Sequence, residues 1–370
     1  MTALLFILWI VEALVAYGVL WLVQIPLRKK ESRIPRIIAF VVKAFLLTLT
    51  AYLSIVVDNW FTWRTGYLLG SVYVALGGDL LGDIVSFVVG LIRKKNVSSV
   101  FRAIAGLVLT IAFLIYGTVN MQTVTANEIT YRSDLLKRQH RFVFIADLHI
   151  GSAQSFDVIQ QTIFDMVTSK HPDFIVLGGD ITDEFTTKEE METLYSMFGA
   201  TGVPVYFVYG NHDRQDKAYI AGGATYTQAE LEATMANYGI TILKDSWVKI
   251  SDDLVLLGRE DITHSERLAV SDIPALPENV YVVSVDHSPY QTDDIIALGA
   301  DLQLSGHSHA GQLFPLRFLC WVTGLDAKGA YTYGDAQMYV SSGFAGWHFP
   351  FRTESGCHYE LVTLLPTSYK

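Results

Sequence analysis

Five short blocks hold the residues able to do chemistry: Asp147-Leu148-His149, Gly179-Asp180, Gly210-Asn211-His212-Asp213, His287, and Gly306-His307-Ser308-His309. Imidazole and carboxylate together suit divalent Mn, Fe or Zn, whereas an all-oxygen shell suits Mg or Ca. Cysteine is absent from the set, which argues against a structural zinc site. A single carboxylate can bridge two ions about 3.5–4 Å apart, the spacing of hydrolytic two-metal centres, and Asp180 is the best candidate for that bridge. One His or Asn at the end of an element is ordinarily a turn or cap residue. No folding requirement demands this combination.

Short apolar runs precede each block. Strands are expected at Arg141–Ala146, Asp173–Leu177, Val203–Val208, Val280–Val285 and Leu302–Leu304, so the blocks sit on loops at carboxyl ends of strands and converge on one crevice. Helices are expected at Phe156–Ser169, Lys188–Phe198 and Gln228–Tyr238. Ile240–Leu243, Trp247–Ile250 and Leu254–Leu257 follow closely, as in an antiparallel run. Thr123–Tyr131, Met338–Val340 and Tyr359–Leu364 complete the strands. Strands alternating with helices make a layered α/β domain. No internal repeat or low-complexity tract interrupts it.

Ahead of this domain the chain reads differently. Leu4–Ile25, Ile37–Val57, Gly66–Ile92 and Ala103–Tyr116 are long apolar runs in a chain of 370 residues, 51% hydrophobic, with a mean hydropathy of +0.32. The first three are long enough for a hydrocarbon core that needs about 20 apolar residues. The fourth borrows Val119 and Met121. Residues 1–118 are therefore expected to form a four-helix transmembrane domain, and 119–370 the α/β domain. One connection carries Arg28, Lys29, Lys30, Arg33 and Arg36, another Arg93, Lys94, Lys95 and Arg102, while Asp58–Arg64 has one basic residue. The positive-inside rule puts the two basic loops in the cytoplasm and everything after the fourth helix outside. Glu12, Lys43, Asp79 and Asp83 lie within the apolar runs, where ionisable groups face a bundle interior or a pathway. Asp79 and Asp83, one turn apart, share a face, and Lys43 lies at a depth that allows pairing.

Charge divides the same way. Residues 1–118 carry 11 Lys/Arg against 5 Asp/Glu, and the remainder 16 against 32. A domain so acidic is poorly suited to nucleic acid, whose binding rests on Lys and Arg. Cys320 and Cys357 cannot make a disulfide framework, though they could form one bridge. His264, His348 and His358 belong to no block and read as ordinary surface or core histidines.

In order and in all five blocks, the sequence resembles the calcineurin-like metallophosphoesterase family over residues 120–365. Gly311-Gln312 and Arg352, in Phe-Pro-Phe-Arg, resemble its membrane-associated or exported branch, which more usually has glycine where Ala310 stands. The resemblance implies a four-layer α-β-β-α sandwich of two mixed sheets. It implies one ion held by Asp147, His149, Asp180 and His309, and a second by Asp180, Asn211, His287 and His307. His212 would then donate a proton to the leaving oxygen, with Asp213 orienting its ring.

A phosphate ester that is lipid-linked or near a membrane is the expected substrate. Leu313–Val322 and Gly346–Phe351 are strongly apolar; each is either core packing or a surface for lipid. A pyrophosphatase of a nucleotide-linked lipid precursor, of the UDP-diacylglucosamine type, would instead need its site in the cytoplasm. Two rivals come from other classes: a binding or signalling protein with an inactive enzyme fold, and a transporter with a regulatory phosphoesterase-like domain. Intact ligand blocks weigh against the first, and the scarcity of charges in the spans against the second.

Overall fold

A computed structural model describes residues 3–28, 33–56, 63–150, 154–215, 224–347 and 350–369. Lys29 and Lys30, most of the Asp58–Arg64 connection, and His348 lie outside them. The chain divides into two compact units.

The first unit holds residues 1–120 together with Leu313–Leu316 and Phe351–Glu354. Those two later segments were expected with residues 119–370. Its helices are α1 (Ala3–Arg28), α2 (Arg33–Val56), α3 (Trp63–Arg93) and α4 (Ser99–Gln122). By length and composition α2, α3 and α4 can cross a membrane, and α1 carries a shorter apolar stretch, Trp9–Gln24, among the described residues. The fourth run, which looked short, lies in a helix of 24 residues because Ser99–Arg102 and Gly117–Gln122 extend it at its two ends. Glycines bring α3 and α4 together: a Cβ on Gly82 would lie 2.7 Å from Gly106 Cα, and one on Gly78 2.5 Å from Thr110 Cα. Small residues at such crossings are how apolar helices associate without a hydrophobic driving force.

Among the described residues of these four helices, buried charge is gathered at one place. Lys43 Nζ of α2 lies 2.6 Å from Asp79 Oδ2 and 2.5 Å from Asp83 Oδ2 of α3. Arg102 Nε of α4 lies 3.6 Å from Asp83 Oδ1, and Gln24 Nε2 of α1 donates to Asp79 Oδ2 at 2.8 Å. All four helices contribute to the network. Among the described residues two cations face two carboxylates, which compensates charge in an apolar surrounding where an uncompensated one is costly. Glu12 is instead exposed on α1.

The second unit is built on two six-stranded mixed sheets. The first, in order β1 (Val124–Ser133), β12 (Cys357–Pro366), β2 (His140–Ile145), β3 (Phe174–Gly178), β4 (Val205–Val208) and β5 (Ile240–Ile242), is parallel from β2 through β5. The second runs β10 (Gly329–Tyr333), β11 (Ala336–Val340), β9 (Leu302–Ser305), β8 (Tyr281–Val285), β7 (Leu254–Gly258) and β6 (Ser246–Lys249), with β7, β8 and β9 parallel. Phe142, Phe144, Phe174 and Val176 of one sheet share a buried cluster with Leu254, Leu256, Val283, Leu302 and Leu304 of the other. The opposite face of the first sheet packs on α5 (Phe156–Lys170), α6 (Lys188–Gly199) and α7 (Gln228–Asn237). α8 (Thr292–Ala297) covers the second through Ile295. Thr187 with Glu190, and Thr227 with Glu230, form reciprocal capping boxes that start α6 and α7 at their expected residues.

The expected antiparallel run from Ile240 to Leu257 does not form as one piece. β5 pairs in parallel with β4, and only β6 and β7 are antiparallel, in the other sheet. The chain changes sheets at Asp245, which is left-handed at φ 45° and whose carboxylate accepts from Leu268 N at 2.8 Å and holds the buried Arg259. Residues 316–322, read as loop, form the short helix α9 (Leu316–Val322). No disulfide joins Cys320 to Cys357.

Candidate metal centre

Parallel strands share one direction, so the loops leaving their carboxyl ends meet at one edge. Asp147 and His149 follow β2, Asp180 follows β3, Asn211 and His212 follow β4, His287 follows β8, and His307 and His309 follow β9. The candidate ligands thus come from both sheets. Asp147, His149, Asp180, His307 and His309 all have left-handed backbone, with φ between 47° and 71°. Non-glycine residues adopt this conformation at a cost of about 1–3 kcal/mol each, and it concentrates at functional sites. Gly179 is needed for a different reason: at φ 87°, a Cβ there would lie 2.6 Å from His287 Nδ1.

Two groups of ligand atoms result. Asp147, His149 and His309 bring theirs within 4.8 Å of one another, and so do Asp180, His287 and His307. Asp180 reaches both, its Oδ2 lying 3.0 Å from His287 Nε2 and 3.7 Å from His149 Nε2. Asn211 Oδ1 lies 2.9 Å from His307 Nδ1. His287 Nδ1 donates to Gly178 O at 2.9 Å and His309 Nδ1 to Ala345 O at 3.3 Å. Each bond fixes the ring with Nε2 toward a candidate carboxylate, Asp180 for His287 and Asp147 for His309, the usual arrangement around a ligating imidazole. His149 is fully buried, yet its Nε2 makes no hydrogen bond. A divalent ion fits this donor set and would satisfy that nitrogen.

Burial alone would raise the Asp180 carboxyl, but the charges of His287, His212 and His149 hold it well below the usual carboxylate range. Burial, then the neighbouring His287 charge, press His307 down to about 4, which keeps it neutral and able to donate a lone pair.

His212 stands beside the first group, its ring centroid 5.4 Å from that of His149. Its partner differs from the expected one. His212 Nδ1 bonds to Glu184, at 2.8 and 2.7 Å from the two carboxylate oxygens. Against the effect of burial, Asp180 and Glu184 raise the imidazole to about 9. Asp213 does not orient this ring: its carboxylate accepts from the backbone N–H groups of Gly210, Asp180, Ile181 and Thr182 at 2.7–3.0 Å. It ties the loop after β3 to the loop after β4 and so holds Asp180 in place. On its other side His212 meets Trp347, at 4.9 Å and 31° between rings. Trp347 N donates to Gln312 Oε1 at 2.9 Å, and Gln312 Nε2 to Trp347 O at 3.2 Å. Asp183 adds a carboxylate 3.4 Å from His149 Nδ1.

Glu184, Asp183 and Trp347 were not singled out as site residues in the sequence. The acidic pair three and four residues after Asp180 was the available signal for the first two. Nothing in sequence spacing brings Trp347 to His212.

Residues 140–311 match the family described as calcineurin-like phosphoesterase. The chain carries a calcineurin-like phosphoesterase domain. Within this domain lie all nine expected site residues, Asp147 to His309. A protein of Helicobacter pylori named an uncharacterized metallophosphoesterase is 28% identical over 245 residues, 63% of this chain and 62% of that one. A zebrafish (Danio rerio) protein named a transmembrane protein with metallophosphoesterase domain is 26% identical over 279 residues, 69% of this chain and 60% of that one. A phosphodiesterase of Escherichia coli is 26% identical over 224 residues, 55% of this chain and 74% of that one. The chain therefore spans less than two thirds of the length of the Helicobacter and zebrafish relatives.

Proposed function

We propose that this protein is a membrane-anchored, metal-dependent hydrolase of phosphate esters, acting on a substrate that is lipid-linked or lies close to the membrane. One observation carries the reading: two His–carboxylate groups joined through Asp180 at the carboxyl ends of parallel strands, with His212 held beside them by Glu184. The family match and the relatives' names support the reaction class. The three helices of spanning length, and the zebrafish relative's name, support the anchor.

Asp147, His149, Asp180 and His309 would hold one divalent ion, and Asp180, Asn211, His287 and His307 the other, with Mn, Fe or Zn suited to the mixed nitrogen and oxygen donors. When bound, such a pair supplies Lewis acidity toward phosphoryl oxygens and lowers the pKa of water. The protein's own groups do the rest. Asp180 keeps the two halves in register, and Asp213 fixes the backbone of Asp180. Asp180 and Glu184 favour the protonated form of His212, and Glu184 occupies Nδ1, which leaves Nε2 as the ring nitrogen able to pass a proton to a leaving oxygen. Trp347 limits the movement of that ring.

The nine Lys/Arg residues of the two basic loops favour a catalytic domain outside the cytoplasm. A soluble aryl phosphodiester, hydrolysed by protein purified without chelator, tests the reaction class. Turnover should vanish on chelation and return with Mn, Fe or Zn. Undiminished turnover after complete removal of metal would overturn the reading.

A further inference from the structure

α9 is an apolar helix that leaves one apolar face exposed among the described residues. Phe318, Trp321 and Val322 are 58%, 73% and 60% exposed, and Leu325, just beyond the helix, 38%. Positions i, i+3, i+4 and i+7 lie on one helical face, and the rings of Phe318 and Trp321 touch at 5.7 Å between centroids. Leu316 on the other side is buried.

What covers this face follows from where the helix starts. Leu316 is the last residue of Leu313–Leu316, a segment of the helical unit. Phe314 N donates to Thr353 Oγ1 at 3.0 Å, and that hydroxyl lies 2.8 Å from the Tyr73 hydroxyl of α3. Arg352 N donates to Gly117 O of α4 at 3.1 Å, and Asn120 Nδ2 to Arg352 O at 3.0 Å. The Phe351 ring sits 5.5, 6.3 and 5.6 Å from those of Trp9, Tyr73 and Phe113.

Depth along the helices can then be counted. From Arg93 back to Tyr73, and from Ser99 on to Gly117, α3 and α4 each rise by roughly 27–30 Å at about 1.5 Å per residue. That is the thickness of a bilayer's hydrocarbon core, about 30 Å. With Arg93–Lys95 at one water interface, Leu313–Leu316 is at the other. α9 is only seven residues long, so covalent connection keeps its exposed rings within roughly 10 Å of that level. Aromatic side chains are enriched at this boundary, and an apolar helical face is covered by it when the helix lies in its plane.

We infer that α9 is an interfacial helix, its Phe318–Trp321–Val322 face seated among lipid headgroups and upper acyl chains on the side of the membrane away from the basic loops. The inference rests on the spanning reading of α2–α4 and not on the hydrolase reading.

Spin labelling of the full chain in lipid nanodiscs tests it without any turnover. In a Cys320→Ser background, nitroxide is attached through Phe318→Cys or Trp321→Cys, with Phe87→Cys on the exposed face of α3 as lipid control and the surface substitution Asp252→Cys as water control. Labels from Phe318→Cys and Trp321→Cys should collide with oxygen several-fold more often than with a water-soluble nickel chelate, at a shallower depth than the Phe87→Cys label. Behaviour like the Asp252→Cys label would overturn the inference, as would shielding from both collision partners, which means a protein cover. A Phe87→Cys label that also reads as water-exposed would instead overturn the spanning reading beneath it. A parallel measurement uses the unlabelled protein: lipids brominated near the headgroup end of their chains should quench a fluorescence component that Trp321→Phe removes. Persistence of the whole quenched component in Trp321→Phe would count against α9 insertion.

Discussion

Two places in this molecule gather charged side chains away from water, and they end differently. The Lys43–Asp79–Asp83–Arg102 network of the helical unit closes on itself, with each cation against a carboxylate and Gln24 added to Asp79. The cluster at the strand ends stays open. It sets histidines and carboxylates on left-handed backbone and leaves the buried His149 Nε2 without a hydrogen bond. A closed network stabilises a packing arrangement. An open one, held under backbone strain, is arranged for something that must still bind.

The comparison breaks most readily at His212. Replacing it with Ala should lower turnover by about 10²–10⁴-fold, the range for a lost acid–base group, while metal content is unchanged. Loss of metal in that variant would make His212 part of the binding set. For the closed network the expected damage is to stability. Lys43→Met removes a cation shared by Asp79 and Asp83 and should destabilise the helical unit by roughly 3–5 kcal/mol, with most of this recovered when Asp79 and Asp83 are made apolar as well. Equal stability of Lys43→Met and wild type in detergent unfolding would show that the network is not structural.

A finer cut separates the two carboxylates near His212. Glu184→Gln should reduce turnover by about tenfold with the metals retained, since it removes the partner that holds the imidazole charged. Asp213→Asn should instead weaken metal retention, because Asp213 ties Asp180 to the loop after β4. Identical behaviour of the two variants would contradict the division of roles. The smallest effect is expected at Glu360, a buried carboxyl in β12. Burial pushes it up to about 8, against the pull of the Ser341 hydroxyl and the Lys328 charge. With its folded value above the unfolded one, its contribution to stability is complete below about pH 4.5 and is lost as pH rises through 8. Glu360→Gln should therefore flatten the fall in Tm between pH 5 and 9, by about 2–4 °C for each kcal/mol involved. An unchanged slope would mean that Glu360 is ionised in the folded protein.

Much of the site was legible in the sequence because its residues sit at the ends of apolar runs, where a strand must stop and a loop begin. The same holds for the helices opened by Thr187 and Thr227, whose capping partners are three residues away. What could not be read depends on contacts between distant loops. Glu184 reaches His212 only after the loops following β3 and β4 are tied by Asp213. Trp347 reaches it only through the clip to Gln312. The strand at Ile240 looked like the start of an antiparallel run because local pattern carries no record of which sheet a strand joins. Leu313–Leu316 and Phe351 read as parts of apolar stretches of the α/β domain, yet they pack with helices more than 190 residues earlier. Hydrophobicity identifies what is buried and not against what.

The most direct test of the open site is elemental analysis of protein purified without chelator, wild type beside Asp180→Asn, with folding verified for both. The account predicts about two equivalents of divalent Mn, Fe or Zn per wild-type chain and loss of both in the variant, since Asp180 lies between the two groups. Metal-free wild-type protein with full activity, or an Asp180→Asn protein retaining two ions, would contradict it.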